Sequence, residues 1–496
     1  MRILYIDLDT LNPSHLGCYG YHRNTSPAID AIAAEGLRCS SVYTSDAPCL
    51  PSRTAFYSGR FGIQTGVIGH GDTAAEPKRE GKGRMFRDRF DRFGLAGQLQ
   101  MKDFHTAMVS PFGQRHSAHW FYAGFNEIHN TGQGGMESAE VVTPVVMRWL
   151  EAHAREDNWY FHVNYWDPHT PYRVPASFGD PFQNEPLPDW YTPELIRQHD
   201  KLAGPHGAME INMYDDGENA RYPRHPGKIT DMASLRRMID GYDTGIRYAD
   251  EQVRLIVAKL KAAGVYDETA IIISADHGEN HGELGLYGEH ATADDATCRI
   301  PMIIKWPGCQ PGRVDTGLHY NVDWAPTLMD LLGAGKPEIW DGQSYVATLK
   351  NGTPAGREDL VISQGCHVCQ RSVRFGDWLY VRTYHDGFHL FPQEMLYNLK
   401  SDPHELQDVA AAHAEVCREG AWRLVQWHDA QMQKMVLNTR DVVDPMWTVM
   451  ADGGPYHASH TPGHSPLPKY LQRLEATGRA DSAAVLRQKY ARFLKV

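Results

Sequence analysis

The chain has 496 residues and a formal net charge of −12, with 42 % hydrophobic and 22 % charged residues. These values are ordinary for a globular protein and leave room for one large α/β domain and a smaller one. The negative charge argues against general nucleic-acid binding, which needs a basic surface, and no stretch is long and apolar enough to span a bilayer. We therefore expect neither nucleic acid nor a membrane among the partners.

The chain enters its first predicted strand directly, at residues 2–9. No apolar segment with a small-residue cleavage site precedes this strand, so we expect no secretory signal, with a signal removed beforehand as the alternative. The eight cysteines are scattered and do not resemble a disulfide framework. These features predict a cytoplasmic protein. Residues 366–369 read Cys-His-Val-Cys, a metal or redox spacing that we interpret as structural because no second pair lies nearby.

Strands and helices alternate along the first 335 residues. Apolar or β-branched runs predict strands at residues 2–9, 38–44, 106–110, 158–166, 269–275 and 301–306. Helical spacing predicts helices at residues 28–36, 94–100, 137–151, 233–263 and 322–332. This alternation predicts a mainly parallel, doubly wound sheet.

Two segments interrupt the alternation. Residues 173–230 are rich in Pro, Gly and His, and predict a long insertion on the face where the strands end. Residues 72–92 are charged and poor in apolar side chains, which predicts a solvated loop or, alternatively, a flap that recognises an anionic substrate.

The pattern changes after residue 360, where short antiparallel strands and one helix predict a small α+β unit. We divide the chain into a catalytic α/β domain at residues 1–358, an α+β subdomain at 359–438 and a tail at 439–496. Such a tail could contact a neighbouring subunit, so we expect a homo-oligomer.

Residues 49–53 read Cys-Leu-Pro-Ser-Arg and combine a thiol, a rigid turn residue, a hydroxyl and a guanidinium. Proline biases the preceding residues away from helix, so Cys49 should lie at a bend with a helix opening near Ser52. A nucleophile there feels the positive field of the helix N-terminus, and Arg53 adds a fork suited to a tetrahedral oxyanion. The alternative is a buried structural thiol.

Acidic residues close two of the predicted strands. Asp9 ends the first strand, and Asp276 and His277 follow a distant one. Parallel strands end along one edge of a sheet, so these side chains can converge there. Carboxylates suit calcium, and an imidazole also admits manganese or zinc. Taken singly, each residue could instead be a turn or cap residue.

The Cys-x-Pro-Ser-Arg run resembles the signature of the type I sulfatases, the formylglycine-dependent family of the alkaline-phosphatase-like superfamily. The likeness extends over roughly residues 2–410 in an ordered series of motifs. It implies an alkaline-phosphatase-like α/β sandwich with a central mainly parallel sheet and a smaller C-terminal α+β subdomain. It also implies that Cys49 becomes formylglycine, which requires a formylglycine-generating enzyme as a maturation partner.

The resemblance sharpens the metal site. Residues 9–20 are similar to the family's N-terminal motif, which commonly has two adjacent Asp residues, whereas this chain has Thr10 second. Asp7 either supplies the missing carboxylate or stands behind the ligands. The resemblance therefore implies one divalent metal, calcium first and manganese as the alternative, bound by a set drawn from Asp7, Asp9, Cys49, Asp276 and His277.

Other motifs imply the residues that contact the substrate. Residues 166–172 resemble the family's Asp-Pro-His-x-Pro-Tyr segment and offer His169 for acid–base work, with Asp167 beside the substrate. The alternative for His169 is a histidine held in a Pro-rich turn. Ser52 is a further candidate for substrate binding.

Two lysines that the family uses are absent. At residues 110–117 the nearby substitutes are Arg115, as a substrate ligand, and His116, as a catalytic residue. At residues 288–290 the lysine position reads Glu289, so His290 is the candidate for anion binding, since a carboxylate cannot take that role unless protonated.

We thus predict hydrolysis of a sulfate monoester, of a sulfated sugar or another small organic sulfate, through a formylglycine hydrate at position 49. The missing lysines keep open a phosphonate monoester or phosphodiester hydrolase with the same nucleophile. A phosphatase using unmodified Cys49 and a non-catalytic binding protein on the same scaffold are further alternatives.

Overall fold

The computed structural model describes residues 1–78, 89–439, 441–461 and 463–494. The centre of the charged segment predicted as a loop or flap, residues 79–88, lies outside the described residues. None of the helices in the described ranges combines the length and the apolarity that crossing a membrane requires.

The strands are, in chain order, β1 (Arg2–Leu8), β2 (Leu37–Tyr43), β3 (Asp46–Ala47), β4 (His105–Val109), β5 (Glu127–His129), β6 (Trp159–Tyr165), β7 (Thr269–Ser274), β8 (Asn280–His281), β9 (Tyr287–Glu289), β10 (Arg299–Lys305), β11 (Arg313–Tyr320), β12 (Asp359–Gln364), β13 (Cys369–Phe375), β14 (Trp378–His385) and β15 (Glu394–Asn398).

The α-helices are α1 (Pro27–Ala34), α2 (Cys49–Ser58), α3 (Gly62–Thr65), α4 (Arg89–Phe93), α5 (Leu95–Gln100), α6 (Phe112–Arg115), α7 (Ala139–His153), α8 (Pro193–His199), α9 (Met232–Ala263), α10 (Asp295–Cys298), α11 (Trp324–Leu331), α12 (Val346–Asn351), α13 (Ala414–Asn438), α14 (Pro445–Ala451), α15 (Leu467–Ala476) and α16 (Ala480–Lys489).

The larger sheet has the strand order β11-β2-β10-β7-β1-β6-β4-β5. Its pairs are parallel except those that β10 makes with β2 and β7. The central strands are buried along their length, as expected where helices cover both faces. This confirms the predicted mainly parallel sheet, and the antiparallel β10 is a feature that the alternation of elements could not reveal.

The register of the central strands sets the position of the first acidic residues. Asp7 of β1 lies opposite Asn164 of β6 and Ser274 of β7. Asp9 and Asp276 follow the ends of β1 and β7, which are parallel neighbours. The carboxyl ends of these strands therefore bring the acids to one edge, as the sequence predicted.

The smaller sheet has the order β15-β14-β13-β12-β3 and is antiparallel among β12–β15. Its last member, β3, pairs in parallel with β12 through Asp46 opposite Ser363. Because β2 belongs to the larger sheet and β3, which ends two residues before Cys49, belongs to the smaller one, the segment that leads to Cys49 is anchored to both sheets. The predicted C-terminal subdomain is thus present and contributes directly to the neighbourhood of residue 49.

The C-terminal residues 441–461 and 463–494 fold back onto the same chain. Leu467, Tyr470 and Leu474 pack in a buried cluster with Ala203 and Phe388. Arg479 of the tail forms a buried ion pair with Glu210 of the long insertion. The described part of the tail therefore covers its own insertion, and the contact with another subunit stays a prediction.

Candidate active site

Cys49 is the first residue of α2 and lies at the ends of the central strands. It is 2 % exposed, and its Sγ lies 3.1 Å from Nε2 of His277. The helix begins at Cys49 and not near Ser52 as the sequence predicted, because Pro51 is tolerated in the first turn of a helix. The side chain at position 49 therefore lies in the field of the helix N-terminus.

Arg53, one turn further along α2, is enclosed by carboxylates. Its guanidinium donates to Asp7 and to Asp9 at 2.9 Å, and it lies 3.1 Å from Asp276. Burial opposes its charge, but these carboxylates raise the pKa of Arg53 well above its ordinary value. The permanently charged guanidinium of Arg53 therefore contacts all three of these carboxylates.

Asp9, Cys49, Asp276 and His277 form a group of four potential metal ligands. Their donor atoms all lie within 4.8 Å of one another, and all four residues are buried. Burial and the nearby Asp276 raise the pKa of Asp9 well above its ordinary value. Among the described residues, no hydrogen-bond donor reaches Asp9 Oδ1. Two carboxylates crowded in this way fit a bound divalent cation.

The imidazole of His277 is oriented as a ligand. Its Nδ1 donates to the carbonyl of Gly278 at 2.8 Å, so its Nε2 presents a lone pair towards Cys49. Burial lowers the pKa of His277 to about 4, which keeps the ring neutral. Histidines that bind a metal through one ring nitrogen usually donate the other ring N–H to a carbonyl or carboxylate, as His277 does here.

Asp7 lies outside this group of four. Its Oδ2 accepts from Arg53 and, at 2.6 Å, from Asn164. Thr10 occupies the position of the second family acid and turns its amide to Asp276 Oδ1 at 3.3 Å, with a backbone φ of 57°. The geometry favours the alternative in which Asp7 stands behind the ligands and holds Arg53.

Two residues predicted to bind substrate have their polar groups engaged by the protein. Ser52 Oγ donates to the carbonyl of Asp276 at 2.6 Å. Asp167 Oδ2 accepts from the amide of Ala139 at 3.0 Å, and burial raises the pKa of Asp167 to about 6. The Ser52 hydroxyl thus holds the backbone of Asp276, and Asp167 accepts from the first amide of α7; substrate contact by either residue stays a prediction.

His290 lies beside the proposed nucleophile and is paired with the acid that precedes it. Its ring centre is 4.2 Å from that of His277, and its Nε2 is 2.9 Å from Glu289. Burial opposes the imidazolium, but the attraction of Glu289 and their hydrogen bond raise the pKa of His290 above its ordinary value. Of the three predicted catalytic histidines, His290 is the one whose surroundings favour the charged form.

His116 and His169 are held as neutral rings. Burial, with Arg115 and Arg53 nearby, lowers the pKa of His116 to about 3. Burial, followed by the neighbouring His290, lowers the pKa of His169 well below its ordinary value. Nδ1 of His169 donates to the Thr170 carbonyl at 2.5 Å, so its Nε2 can accept a proton.

Two arginines lie against the ring of Trp166, which itself stacks on His169. The guanidinium of Arg115 lies 4.3 Å from the ring centre and that of Arg173 lies 5.0 Å away. Nη1 of Arg173 is buried and has no hydrogen-bond partner among the described residues, and burial lowers the pKa of Arg173 to about 10. Arg173 was not predicted as a site residue, although it directly follows the Pro-Tyr of the His169 motif.

A set of histidines around Glu289 was likewise not predicted from the sequence. His206 Nε2 lies 3.1 Å from the Glu289 carboxylate, and His367 Nε2 lies 3.8 Å from it. Burial opposes its ionisation, yet these rings and His290 hold the pKa of Glu289 well below its ordinary value. No local pattern joins these residues, which come from the insertion, β9 and the C-terminal half.

Solved structures with this architecture place the fold in the alkaline-phosphatase-like class. A phosphonate monoester hydrolase of Agrobacterium radiobacter matches with a TM-score of 0.64 and 18 % identity, over 87 % of this chain and 96 % of that one. A protein solved with its substrate D-glucosamine-2-N,6-O-disulfate matches with a TM-score of 0.67 and 19 % identity, over 87 % and 97 %. At these identities the likeness describes the fold.

The sulfatase family model matches residues 2–334, and a second model, N-sulphoglucosamine sulphohydrolase, C-terminal, matches residues 282–428. The choline-sulfatase of Rhizobium meliloti is 25 % identical over 78 % of this chain and 77 % of its own length. The multifunctional alkaline phosphatase superfamily protein PehA of Trinickia caryophylli is 22 % identical over 84 % and 91 %. The chain belongs to the sulfatase family and is a sulfuric ester hydrolase.

Proposed function

We propose that this enzyme hydrolyses the sulfate monoester of a small polar alcohol, such as a sugar, through a formylglycine derived from Cys49. The observation that carries the proposal is the convergence of Cys49, Arg53 and the four-ligand group within one buried site. Nucleophile, fixed cation and metal donors are thereby assembled at a single point.

The surroundings of Cys49 argue against an ordinary thiolate nucleophile. Burial and the carboxylates of Asp9 and Asp276 raise the pKa of the Cys49 thiol well above its ordinary value. A formylglycine hydrate supplies one hydroxyl that attacks sulfur and a second that allows sulfate to be expelled afterwards. Maturation by a formylglycine-generating enzyme is therefore part of the proposal.

Asp9, Asp276, His277 and residue 49 would hold one divalent cation, with calcium first and manganese as the alternative because one donor is an imidazole. When bound, the cation supplies Lewis-acid stabilisation of the sulfate oxygens. Arg53 would hold the carboxylates of Asp9 and Asp276 in place and add positive charge near the bound sulfate. The Asp7 carboxylate in turn fixes the position of Arg53.

The histidines would divide the proton transfers between them. His290, whose charged form Glu289 favours, would hold a sulfate oxygen or donate a proton to the leaving alcohol. Neutral His169 would accept a proton at Nε2, since its Nδ1 is engaged by the Thr170 carbonyl. His116 would contact the sulfate as a neutral ring.

A cavity of about 310 Å³ next to Glu289 is the proposed pocket for the alcohol. Most of its walls come from the long insertion, and its polar side chains suit the hydroxyl groups of a sugar. They are Thr170, His206, Asn212, Asn219, Tyr222, His225 and Glu289. Its volume is at the lower end for ligand sites, which favours a substrate of about one sugar ring.

A phosphonate monoester or phosphodiester hydrolase is the second candidate. Neither lysine of the usual sulfatase site is present: Arg115 and His116 lie near the first position, and Glu289 takes the second, next to His290. A phosphonate monoester hydrolase is among the structures with a similar fold. The same residues would act on phosphorus in place of sulfur.

The test compares kcat/KM for an aryl sulfate and an aryl phosphonate monoester with the same leaving group. The enzyme is first matured with a formylglycine-generating enzyme, and the mass change at Cys49 is verified. A sulfate preference that Cys49→Ala abolishes is the expected result, with Cys309→Ala, a half-buried thiol between β10 and β11, as the control. A phosphonate preference would establish the second candidate, and sulfate turnover by unmodified enzyme would overturn the formylglycine mechanism.

A further inference from the structure

A second group of potential metal ligands lies outside the proposed catalytic set. His70, Cys366 and His457 bring two imidazoles and one thiol together, and their ligand atoms lie within 4.8 Å of one another. The three residues come from the loop after α3, the turn after β12 and the C-terminal tail. Only the folded chain assembles them.

The three segments are held together at this point by other contacts. The amide of His457 donates to the carbonyl of Cys366 at 3.1 Å, and the His457 ring stacks on His367 with 4.2 Å between ring centres. The His70 ring lies 5.1 Å from that of His116. The donor atoms are therefore positioned by the fold, and not by their own attraction.

The donors are free to bind a cation. Cys366 is fully buried, and the two histidines are half-buried. A neutral imidazole carries a lone pair on one ring nitrogen, so His70 and His457 can each supply one ligand atom to the group. Within the described ranges, the His457 ring makes no hydrogen bond, and the Leu50 amide reaches His70 Nε2 only at 3.4 Å.

We propose that His70, Cys366 and His457 bind one zinc ion. A thiolate with two imidazoles selects a borderline-soft ion over calcium or magnesium. Cys366 loses its proton as the Zn–S bond forms, and the proton passes to solvent or buffer. Zinc ligands lie about 2.0–2.3 Å from the ion, so the donor atoms have to approach one another by roughly 1 Å, and the long Leu50 contact is given up.

The site would connect the tail to the wall of the active site. His70 lies against Leu50, the neighbour of Cys49 in α2, whereas His457 belongs to the tail. Three protein ligands leave a fourth tetrahedral position for water. Zinc would therefore fix the tail against the loop that borders the nucleophile.

A third group of potential metal ligands is formed by His206, Glu289 and His367. It is a weaker candidate for a zinc site. The Glu289 carboxylate is already paired with His290 at 2.9 Å and with His206 at 3.1 Å, so the protein itself balances its charge. No comparable partner reaches the Cys366 sulfur in the described part of the chain, apart from the His70 backbone amide.

The test uses cobalt as a spectroscopic substitute for zinc. The full-length Cys49→Ser protein is used, because it removes the other thiol near a metal group. We expect one equivalent of Co²⁺ to give a thiolate-to-cobalt charge-transfer band that zinc abolishes. Cys366→Ser should lose the band, and Cys369→Ser should keep it, because Cys369 lies in the apolar cluster with Ile68 and Met446.

His457→Gln supplies a second measurement, in which the thiol is intact. We expect Co²⁺ and Zn²⁺ affinity to fall by at least about tenfold, because losing a ligand should cost no less than losing a residue that only orients one. Near-ultraviolet circular dichroism checks that each variant is folded. Absence of the band in the Cys49→Ser protein, its survival in folded Cys366→Ser, or unchanged affinity in His457→Gln would each overturn the assignment.

Discussion

At the scale of single residues, the pairing of His290 with Glu289 predicts a pH dependence. Glu289 raises the pKa of His290, so the protonated ring persists to higher pH than an isolated histidine. If the charged ring is needed, kcat/KM falls as pH rises through this pKa. Glu289→Gln removes the stabilising charge, so the alkaline limb of the profile should move to lower pH.

The pH profile of kcat/KM measures this shift directly. Glu127→Gln is the matched control, because Glu127 also contacts two imidazoles, those of His105 and His129, but lies on β5 at the edge of the larger sheet. Its profile should equal that of the parent enzyme. An unmoved alkaline limb in Glu289→Gln would mean that the charge of His290 is not used.

Arg173 provides a second prediction at this scale. Its unpartnered Nη1 beside Trp166 is a buried donor that an anionic substrate can satisfy. A hydrogen bond to a charged group is worth about 1.5–3 kcal/mol, so Arg173→Gln should lower kcat/KM by roughly ten- to a hundredfold, mainly through KM. Steady-state kinetics of Arg197→Gln, an exposed cation on α8, should be unchanged. A normal KM in Arg173→Gln would exclude this contact.

The residues that could be predicted from the sequence are those with a local signature. Asp9, Cys49 and Asp276 converge because parallel strands end at one edge, which the alternation of elements predicts. Ser52 and Asp167 were chosen from motif positions, and the structure adds that the Ser52 hydroxyl contacts the Asp276 carbonyl and the Asp167 carboxylate contacts a helix amide. Such competition depends on tertiary contacts, so no motif reports it.

At the scale of elements, one ion pair joins α14 of the tail to β13. Asp444 forms two bonds of 2.7 Å with Arg371 and also accepts from the amide of Met446 at the start of α14. Both side chains are buried. Asp444→Asn leaves an unbalanced guanidinium, so the free energy of unfolding should fall by about 3–5 kcal/mol. Urea unfolding at neutral pH measures this loss.

The same pair predicts a pH dependence of stability. Burial opposes ionisation, but Arg371 holds the pKa of Asp444 below its ordinary value. A carboxyl group whose pKa is lowered in the folded state stabilises the fold at pH values above its pKa in the unfolded chain, about 3.9. This contribution is lost as the pH falls through the lowered pKa. The stability difference between the parent and Asp444→Asn should therefore shrink in acid. Asp441→Asn, an exposed neighbour, should differ little from the parent at any pH.

At the scale of the whole molecule, the two sheets and the long helix α9 follow from periodicity and turn residues. What the sequence did not predict is how distant segments meet at the site: β3 joins the C-terminal sheet, and the tail places His457 against His367. These contacts join residues that are far apart in the sequence. Local preference carries no information about such pairings, so the tail could only be assigned a general role.

The tail packs on the rest of its own chain, so removing it should destabilise the fold. A chain ending at Asn438 would lose the buried side chains Leu467, Tyr470 and Leu474, which pack on Ala203 and Phe388. Burying such a side chain contributes about 1.5–3 kcal/mol, and a domain is stable by only about 5–15 kcal/mol. The truncated chain should therefore unfold at a markedly lower temperature and lose sulfatase activity.

Two point variants separate packing within the chain from contact between subunits. Leu474→Ala opens a cavity in the cluster and should cost about 2–5 kcal/mol, whereas Val485→Ala, at a side chain 50 % exposed on α16, should cost less than about 0.5 kcal/mol. Thermal unfolding and light scattering are measured for both. If the tail acts mainly between subunits, Val485→Ala will change the oligomeric state and Leu474→Ala will leave the melting temperature unchanged at high dilution. If the tail packs on its own insertion, the loss in Leu474→Ala will be the same at every protein concentration, because an intramolecular contact does not depend on mass action.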